Sequence, residues 1–283
     1  PFFDHSSRIV WSQIERVNNN SEIKHPSVRE ILQFMQITNG VEIHHDGDLP
    51  ARSGLGSSSA FSVGLLNALY SLKGDHHGKR RLASDAIFIE QQKLNENVGS
   101  QDQVATAFGG LNHIKFGGPT NFEVHPVTID CQRLVTLEQH LMLVFTGFQR
   151  TASDIAAEQI AAIDKNKTEL QELAYAVPEA INMLRGSGPL LEFGRLLHQT
   201  WEIKKNLTNN ISNTYIDDVY SVARKAGAIG GKLLGAGGGG FMLIFVEPPL
   251  KRSVSHALKG MLQVPFKFEK LGSQIIFEDD LSV

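Results

Sequence analysis

Cysteine is almost absent from this 283-residue chain: Cys131 stands alone, so no internal disulfide can form, and no Cys/His cluster has zinc-site spacing. A reducing, cytoplasmic setting is expected. Long hydrophobic runs are also missing. The best, His140 to Phe145 and Phe241 to Val246, are short and strand-like, far below the roughly eighteen apolar residues of a membrane span, and no membrane partner is expected. Nor is there an excess of positive charge. Against 30 Asp plus Glu the chain sets 27 Lys plus Arg, a net charge of -3, without the basic surplus that gives nucleic-acid binders their phosphate affinity. The opening Pro1-Phe2-Phe3-Asp4-His5 has neither an initiator methionine nor the basic start and apolar stretch of a signal peptide, which suggests a fragment.

Hydrophobic residues at 41% and charged residues at 20% are ordinary for a globular protein, and the length suits two domains or one large one. Arg8 to Val17 reads as a strand, Pro26 to Thr38 as an amphipathic helix with its proline in the tolerated first turn, and Val41 to His44 as a strand. A helix apolar nearly all round begins at Gly54 to Ser59 and runs to Leu72, which predicts burial between layers with Gly64 allowing close packing. Further helices are expected over Leu82 to Asn95 and from Ser100, where Ser100 and Gln103 have capping-box spacing. Strands follow at Leu111 to Phe116, Phe122 to Val127 and Leu141 to Phe145, then three long helical stretches between Ser153 and Lys225. Strands near Lys232 to Leu234, Phe241 to Val246, Phe266 to Lys270 and Gln274 to Phe277 end the chain. The alternation lacks a regular strand-helix-strand rhythm, so the class is α+β, with a domain boundary near Thr136 separating residues 1–136 from 137–283.

Three features carry chemistry. The first is Pro50-Ala51-Arg52-Ser53-Gly54-Leu55-Gly56-Ser57-Ser58-Ser59-Ala60, a small-residue loop running into a helix. A helix N-terminus presents unpaired N–H groups and a positive dipole end, and glycine admits a phosphate to the backbone. A turn and an N-cap would need only one serine and one glycine. The second is Gly235-Ala236-Gly237-Gly238-Gly239-Gly240, which matches the dinucleotide-binding glycine spacing but precedes Phe241 to Val246, a strand where that motif needs a helix. A strand-loop-strand unit is predicted. So many glycines cost backbone entropy unless the loop must approach something closely. Lys232 does not make a Walker A loop, because Ala226 stands where that motif has glycine. The third is the acidic pair Glu90 and Asp102. Asp102 falls in a helix first turn, where the dipole favours the carboxylate.

Together these elements resemble the GHMP family of small-molecule kinases over about Arg8 to Phe277. Pro50 to Ala60 resembles the family's phosphate loop, Gly99-Ser100-Gln101-Asp102-Gln103 the segment with its catalytic aspartate, and Gly235 to Gly240 its C-terminal glycine loop. The spacing of Glu90 and Asp102 resembles that of the metal-binding glutamate and the aspartate. Stretches such as Glu22-Ile23-Lys24-His25-Pro26, Phe145-Thr146-Gly147 and Gly230 to Gly240 are most similar to the heptose 7-phosphate branch, which phosphorylates an anomeric oxygen. The resemblance implies a two-domain fold, with an N-terminal domain like ribosomal protein S5 domain 2 and a ferredoxin-like C-terminal domain. The family's first glycine-rich motif, with its acidic sugar contact, has no match, so the N-terminal segment is expected to be missing.

The implied activity is ATP-dependent phosphorylation of a sugar phosphate. Gly54, Leu55, Gly56, Ser57, Ser58 and Ser59 would hold the ATP phosphates, Ser58 and Glu90 would bind Mg2+, with Ser57 or Ser59 able to replace Ser58, and Asp102 would take the acceptor proton. Gly235, Ala236, Gly237, Gly238 and Gly239 would close over the reacting groups. Arg150 is the candidate clamp for the acceptor's own phosphate, since guanidinium matches phosphate bidentately, although a surface arginine opening the next helix reads equally well. Lys204 and Lys205, after Trp201, are weaker candidates for the same clamp, since paired lysines on a helix usually form a solvated face, and His44 and His45, on opposite sides of a strand, read as no metal site. Phosphorylation of a free hexose such as L-fucose, a catalytically silent ATP or sugar sensor, and an NAD-dependent dehydrogenase are the alternatives, the last already opposed by the strand after Gly240.

Overall fold

The computed structural model describes residues 4–38, 40–48, 53–118, 121–147 and 152–279. The N-terminal half opens with β1 (Ser7–Val10) and β2 (Ile14–Val17), an antiparallel pair where one strand was expected. The break lies at Trp11 to Gln13, where the Trp11 N–H donates to the Gln13 carbonyl and its indole donates to Glu15. Helix α1 (Pro26–Phe34) follows, started by Pro26 and capped by the His25 ring, then β3 (Glu42–His44), parallel to β1.

Helix α2 (Ser57–Leu72) is buried along Val63, Leu66 and Leu69, not all round. Leu72 is 59% exposed, and nothing stands within 4 Å of a methyl group built on Gly64. That apolar face lines a cavity instead of a neighbouring layer. Helix α3 (Lys79–Phe88) continues into a single π-helical turn, Ile89–Lys93. Next come α4 (Gln101–Phe108) and the antiparallel pair β4 (Asn112–Phe116) and β5 (Phe122–Pro126). Ile9, Ile31, Leu66, Ile87, Val104 and Phe122 meet in one core.

The C-terminal half begins with α5 (Cys131–His140), a helix unforeseen in the sequence although Asp130 caps it by accepting from the N–H groups of Gln132 and Arg133. Thr136 lies inside this helix, and Leu137 packs in a cluster with Phe245. After β6 (Leu141–Phe145), four helices stand where three stretches were expected: α6 (Ala152–Ala161), α7 (Lys167–Arg185), α8 (Leu191–Lys205) and α9 (Thr214–Lys225). Then follow β7 (Ala228–Leu233), β8 (Phe241–Val246), α10 (Lys251–Ala257) and β9 (Gln263–Val264).

The sheet order β7-β8-β6-β9, antiparallel throughout, is that of a βαββαβ ferredoxin-like unit. Helix α8 lies directly on β7, where a methyl on Gly230 would fall 1.9 Å from the Gly194 carbonyl oxygen. The strands expected over 266–270 and 274–277 do not form. Their backbone instead clips the two halves together, Gly110 N–H donating to Glu269 and Ser273 N–H to Thr106 in α4.

Candidate active site

The two glycine loops meet. Gly54 and Gly56 have φ of +80° and +70°, the left-handed region open to glycine, and this turns the chain so that α2 starts at Ser57 with no side-chain cap. Its first N–H groups therefore lack intrahelical acceptors. Against this loop lies the hairpin between β7 and β8, as the strand-loop-strand reading required. A methyl on Gly235 would lie 3.0 Å from the Gly54 Cα, and one on Gly240 2.4 Å from the Ser53 carbonyl oxygen. The Phe241 N–H donates to that Ser53 oxygen at 3.2 Å, while Gly240 accepts from both the backbone N–H and the hydroxyl of Thr146. Gly238 donates to Ile211 at 2.9 Å. The close approaches answer the entropy cost of the glycines. They also leave Gly237, Gly238 and Gly239 buried in this packing, and only Gly235 and Ala236 of the predicted closing loop line the adjoining cavity.

That cavity, about 960 Å³, brings together Gly56, Ser57, Ser58, Ser59, Glu90 and Asp102. Leu55 faces a second cavity of about 730 Å³ on the other side of the same loop, formed by residues around β3 and the open face of α2; Ser57 borders both. His44, paired with Glu42, and His45, against the Phe61 ring, also border the second cavity. Arg52 and Arg150 lie outside the described residues.

Glu90 sits in the π-helical turn, a feature that often marks functional sites, and is fully buried. Its Oε2 accepts from the Ser59 hydroxyl at 2.9 Å and from the Gln103 amide at 2.6 Å, whereas its Oε1 has no partner. The serine on Glu90 is thus Ser59, the alternate, and not the exposed Ser58. The capping box does not form: Gln103 is drawn to Glu90, and the Ser100 hydroxyl accepts from Gln91. Burial pushes the Glu90 carboxyl above its ordinary value against the hydrogen bonds from Ser59 and Gln103.

No cluster of three or more His, Cys, Asp or Glu suited to a metal occurs among the described residues. The unpartnered Glu90 oxygen beside serine hydroxyls nevertheless fits Mg2+, a hard cation commonly held by one or two carboxylates, waters and substrate phosphates.

Asp102 occupies the first turn of α4, with its Cγ 3.1 Å from a methyl built on Gly56. The helix dipole led us to expect a lowered pKa. Instead burial raises it, over the opposing effects of a hydrogen bond from Gln101 and the charge of Lys204. Lys204 is the residue that the sequence reading ranked too low. It is half-buried, lines the cavity and donates to the Gly235 carbonyl at 2.7 Å, and burial, then the charge of Lys232, brings its pKa down to about 7. The available signal was Trp201, fully buried three residues earlier and so on the same helix face. Lys205, by contrast, pairs with Glu202 at 2.8 Å and does not border the cavity. Lys232 also lines the cavity, its pKa lowered by burial.

The family profile for the GHMP kinases N terminal domain matches residues 23–110, and that for the GHMP kinases C terminal domain residues 180–262. A D-glycero-alpha-D-manno-heptose 7-phosphate kinase of Campylobacter jejuni is 32% identical over 86% of this chain and 73% of its own length. An L-fucokinase/L-fucose-1-P guanylyltransferase of Bacteroides fragilis is 28% identical over 81% of this chain, which spans only 24% of that protein. Among solved structures, a D-glycero-D-manno-heptose 1-phosphate kinase from Bacteroides thetaiotaomicron superposes with a TM-score of 0.74 at 24% identity, over 96% of this chain and 83% of the other. No helix among the described residues is long and apolar enough to cross a membrane. Both family domains in order, with a relative matched along most of its length, show that the chain belongs to the GHMP kinase family as an ATP-dependent sugar kinase.

Proposed function

We propose that this kinase transfers the γ-phosphoryl group of ATP to the anomeric hydroxyl of D-glycero-D-manno-heptose 7-phosphate, giving the 1,7-bisphosphate. The observation that carries the reading is the convergence of the uncapped α2 N-terminus, Glu90 and Asp102 on one cavity, with a second cavity across the shared loop. The second cavity, backed by the apolar face of α2, suits a nucleoside. The first, holding Asp102, suits the acceptor. The name of the Campylobacter relative supports the choice of sugar.

In this reading the N–H groups at Gly56 to Ser59 hold the ATP phosphates. The acceptor oxygen attacks the γ-phosphorus, the bond to the β,γ-bridging oxygen breaks, ADP leaves, and the hydroxyl proton passes to Asp102. The raised pKa of Asp102 suits that task, because a base works best when its pKa approaches the working pH. Mg2+, held by Glu90 with Ser58 or Ser59, would neutralise charge on the phosphate oxygens. Gly235 and Ala236 help exclude water that would otherwise hydrolyse ATP, and Arg150 is the proposed clamp for the 7-phosphate.

The test is ADP release with Mg-ATP and heptose 7-phosphate, free heptose or L-fucose in parallel. Turnover confined to the phosphorylated heptose is expected. Preferential turnover of a free sugar would replace this acceptor with a free hexose.

A further inference from the structure

The chain supplies two cations to the reaction cavity for which the motifs assign no task. Lys204 stands in the last turn of α8, and Lys232 in β7, three residues before Gly235. Both line the cavity that contains Asp102 and Glu90, and neither forms an ion pair with a carboxylate among the described residues. Lys204 feels the charge of Lys232, and burial disfavours charge on both. Two ammonium groups kept near one another in a partly dry cavity are incomplete without an anion.

Their position says which anion. The Lys204 ammonium spends one of its three donors on the Gly235 carbonyl, and Gly235 abuts Gly54 of the phosphate loop. Lys204 also lies within reach of the Asp102 charge. It is therefore fixed between the loop that holds the donor phosphates and the carboxylate that faces the acceptor hydroxyl. A phosphate on C7 of a heptose whose C1 hydroxyl meets Asp102 would sit at the far end of the acceptor, away from this junction.

We propose that Lys204 and Lys232 form a two-lysine site that grips the phosphoryl group in transit, binding the γ-phosphate of ATP and the charge that develops as it moves to the acceptor. Lys204 has a second effect, holding Gly235 in place through its carbonyl. The inference rests on the kinase reading and deepens it.

The test is calorimetric titration of the wild type, Lys204→Met, Lys232→Met and Lys204→Arg with Mg-ADP and with the Mg complex of the β,γ-imido analogue of ATP, without acceptor. A lost charge-assisted contact corresponds to about a tenfold change. Each methionine variant should therefore bind the triphosphate about tenfold more weakly and ADP nearly unchanged, while Lys204→Arg keeps most of the preference. In turnover, kcat should fall more than the acceptor KM rises. An unchanged triphosphate-to-diphosphate ratio in both methionine variants would overturn the two-lysine site and leave the kinase reading standing. So would a rise in the KM for heptose 7-phosphate with kcat unchanged, which would assign the lysines to the acceptor's own phosphate. Failure of the wild type to bind either nucleotide would remove the kinase reading, and this inference with it.

Discussion

Gly56→Ala separates the two things glycine does in the phosphate loop. With φ at +70° the new side chain meets the left-handed penalty, about 1–2 kcal/mol for an L-residue. Its methyl would also lie 3.1 Å from both Cγ and Oδ2 of Asp102, a contact that one of the two must relieve by moving a few tenths of an ångström. Gly74 supplies the control: its φ is +66°, and a methyl there meets nothing within 4 Å. Gly74→Ala should show the same backbone strain without touching Asp102. Misplacing a reacting group by about 1 Å can cost on the order of 100-fold in rate, so the smaller shift here should lower kcat roughly 10- to 100-fold, or about 1.4–2.7 kcal/mol of transition-state stabilisation. Both variants should lose a few degrees of melting temperature. Steady-state ADP release and thermal melts on the two proteins decide the matter. A kcat for Gly56→Ala equal to that of Gly74→Ala would refute the claim that this loop sets the position of Asp102.

Asp102→Asn keeps the shape and removes the base, so kcat should fall roughly 100- to 10,000-fold, measured by ADP release while nucleotide binding persists. The kcat/KM profile against pH should rise as Asp102 loses its proton above the ordinary value of 3.8, and decline as pH passes the Lys204 pKa of about 7. Lys204→Arg, whose guanidinium stays charged, should move that alkaline limb upward and leave the titration of Lys232. In Mg-free buffer the raised pKa of Glu90 means that its protonated form is favoured by folding. That contribution is present below the unfolded value of about 4.5 and disappears as pH rises through the raised folded value. Glu90→Gln should therefore gain melting temperature relative to the wild type as pH is raised across that window, and a constant difference would contradict the assignment. Gly230→Ala forces a methyl into the Gly194 carbonyl and should cost at least about 1–3 kcal/mol, read in denaturant melts.

The motifs were legible because they depend on local chemistry. Glycine followed by serine at a helix start, and glycine between two apolar strands, advertise themselves wherever the chain goes. The number of glycines even announced that the second loop must approach something closely, though not that Ser53 and Gly54 would be what Gly235 and Gly240 approach. What stayed hidden depends on tertiary contacts. Ser100 and Gln103 have the spacing of a capping box, yet a buried carboxylate needs hydrogen bonds more than a helix end does, and Gln103 goes to Glu90. The dipole argument for Asp102 was sound but lost to burial, which acts on the same carboxylate in the opposite direction. Adjacent lysines look alike in sequence; only the placement of α8 against the cavity separates Lys204 from Lys205. The segment from Phe266 to Phe277 carries strand-like residues, yet Phe266 and Phe268 pack against the cluster around Leu137 and Phe245, and its backbone meets Gly110 and Thr106 through single hydrogen bonds instead of a ladder.

The central claim is the transfer of a phosphoryl group to an anomeric oxygen with Asp102 as the base, and ³¹P NMR of the reaction with Mg-ATP and D-glycero-D-manno-heptose 7-phosphate tests it most directly. The account predicts a new resonance coupled to the anomeric proton, growing in step with ADP and absent with Asp102→Asn. A phosphate appearing on another carbon, or conversion of ATP to ADP and inorganic phosphate with the sugar unchanged, would contradict it.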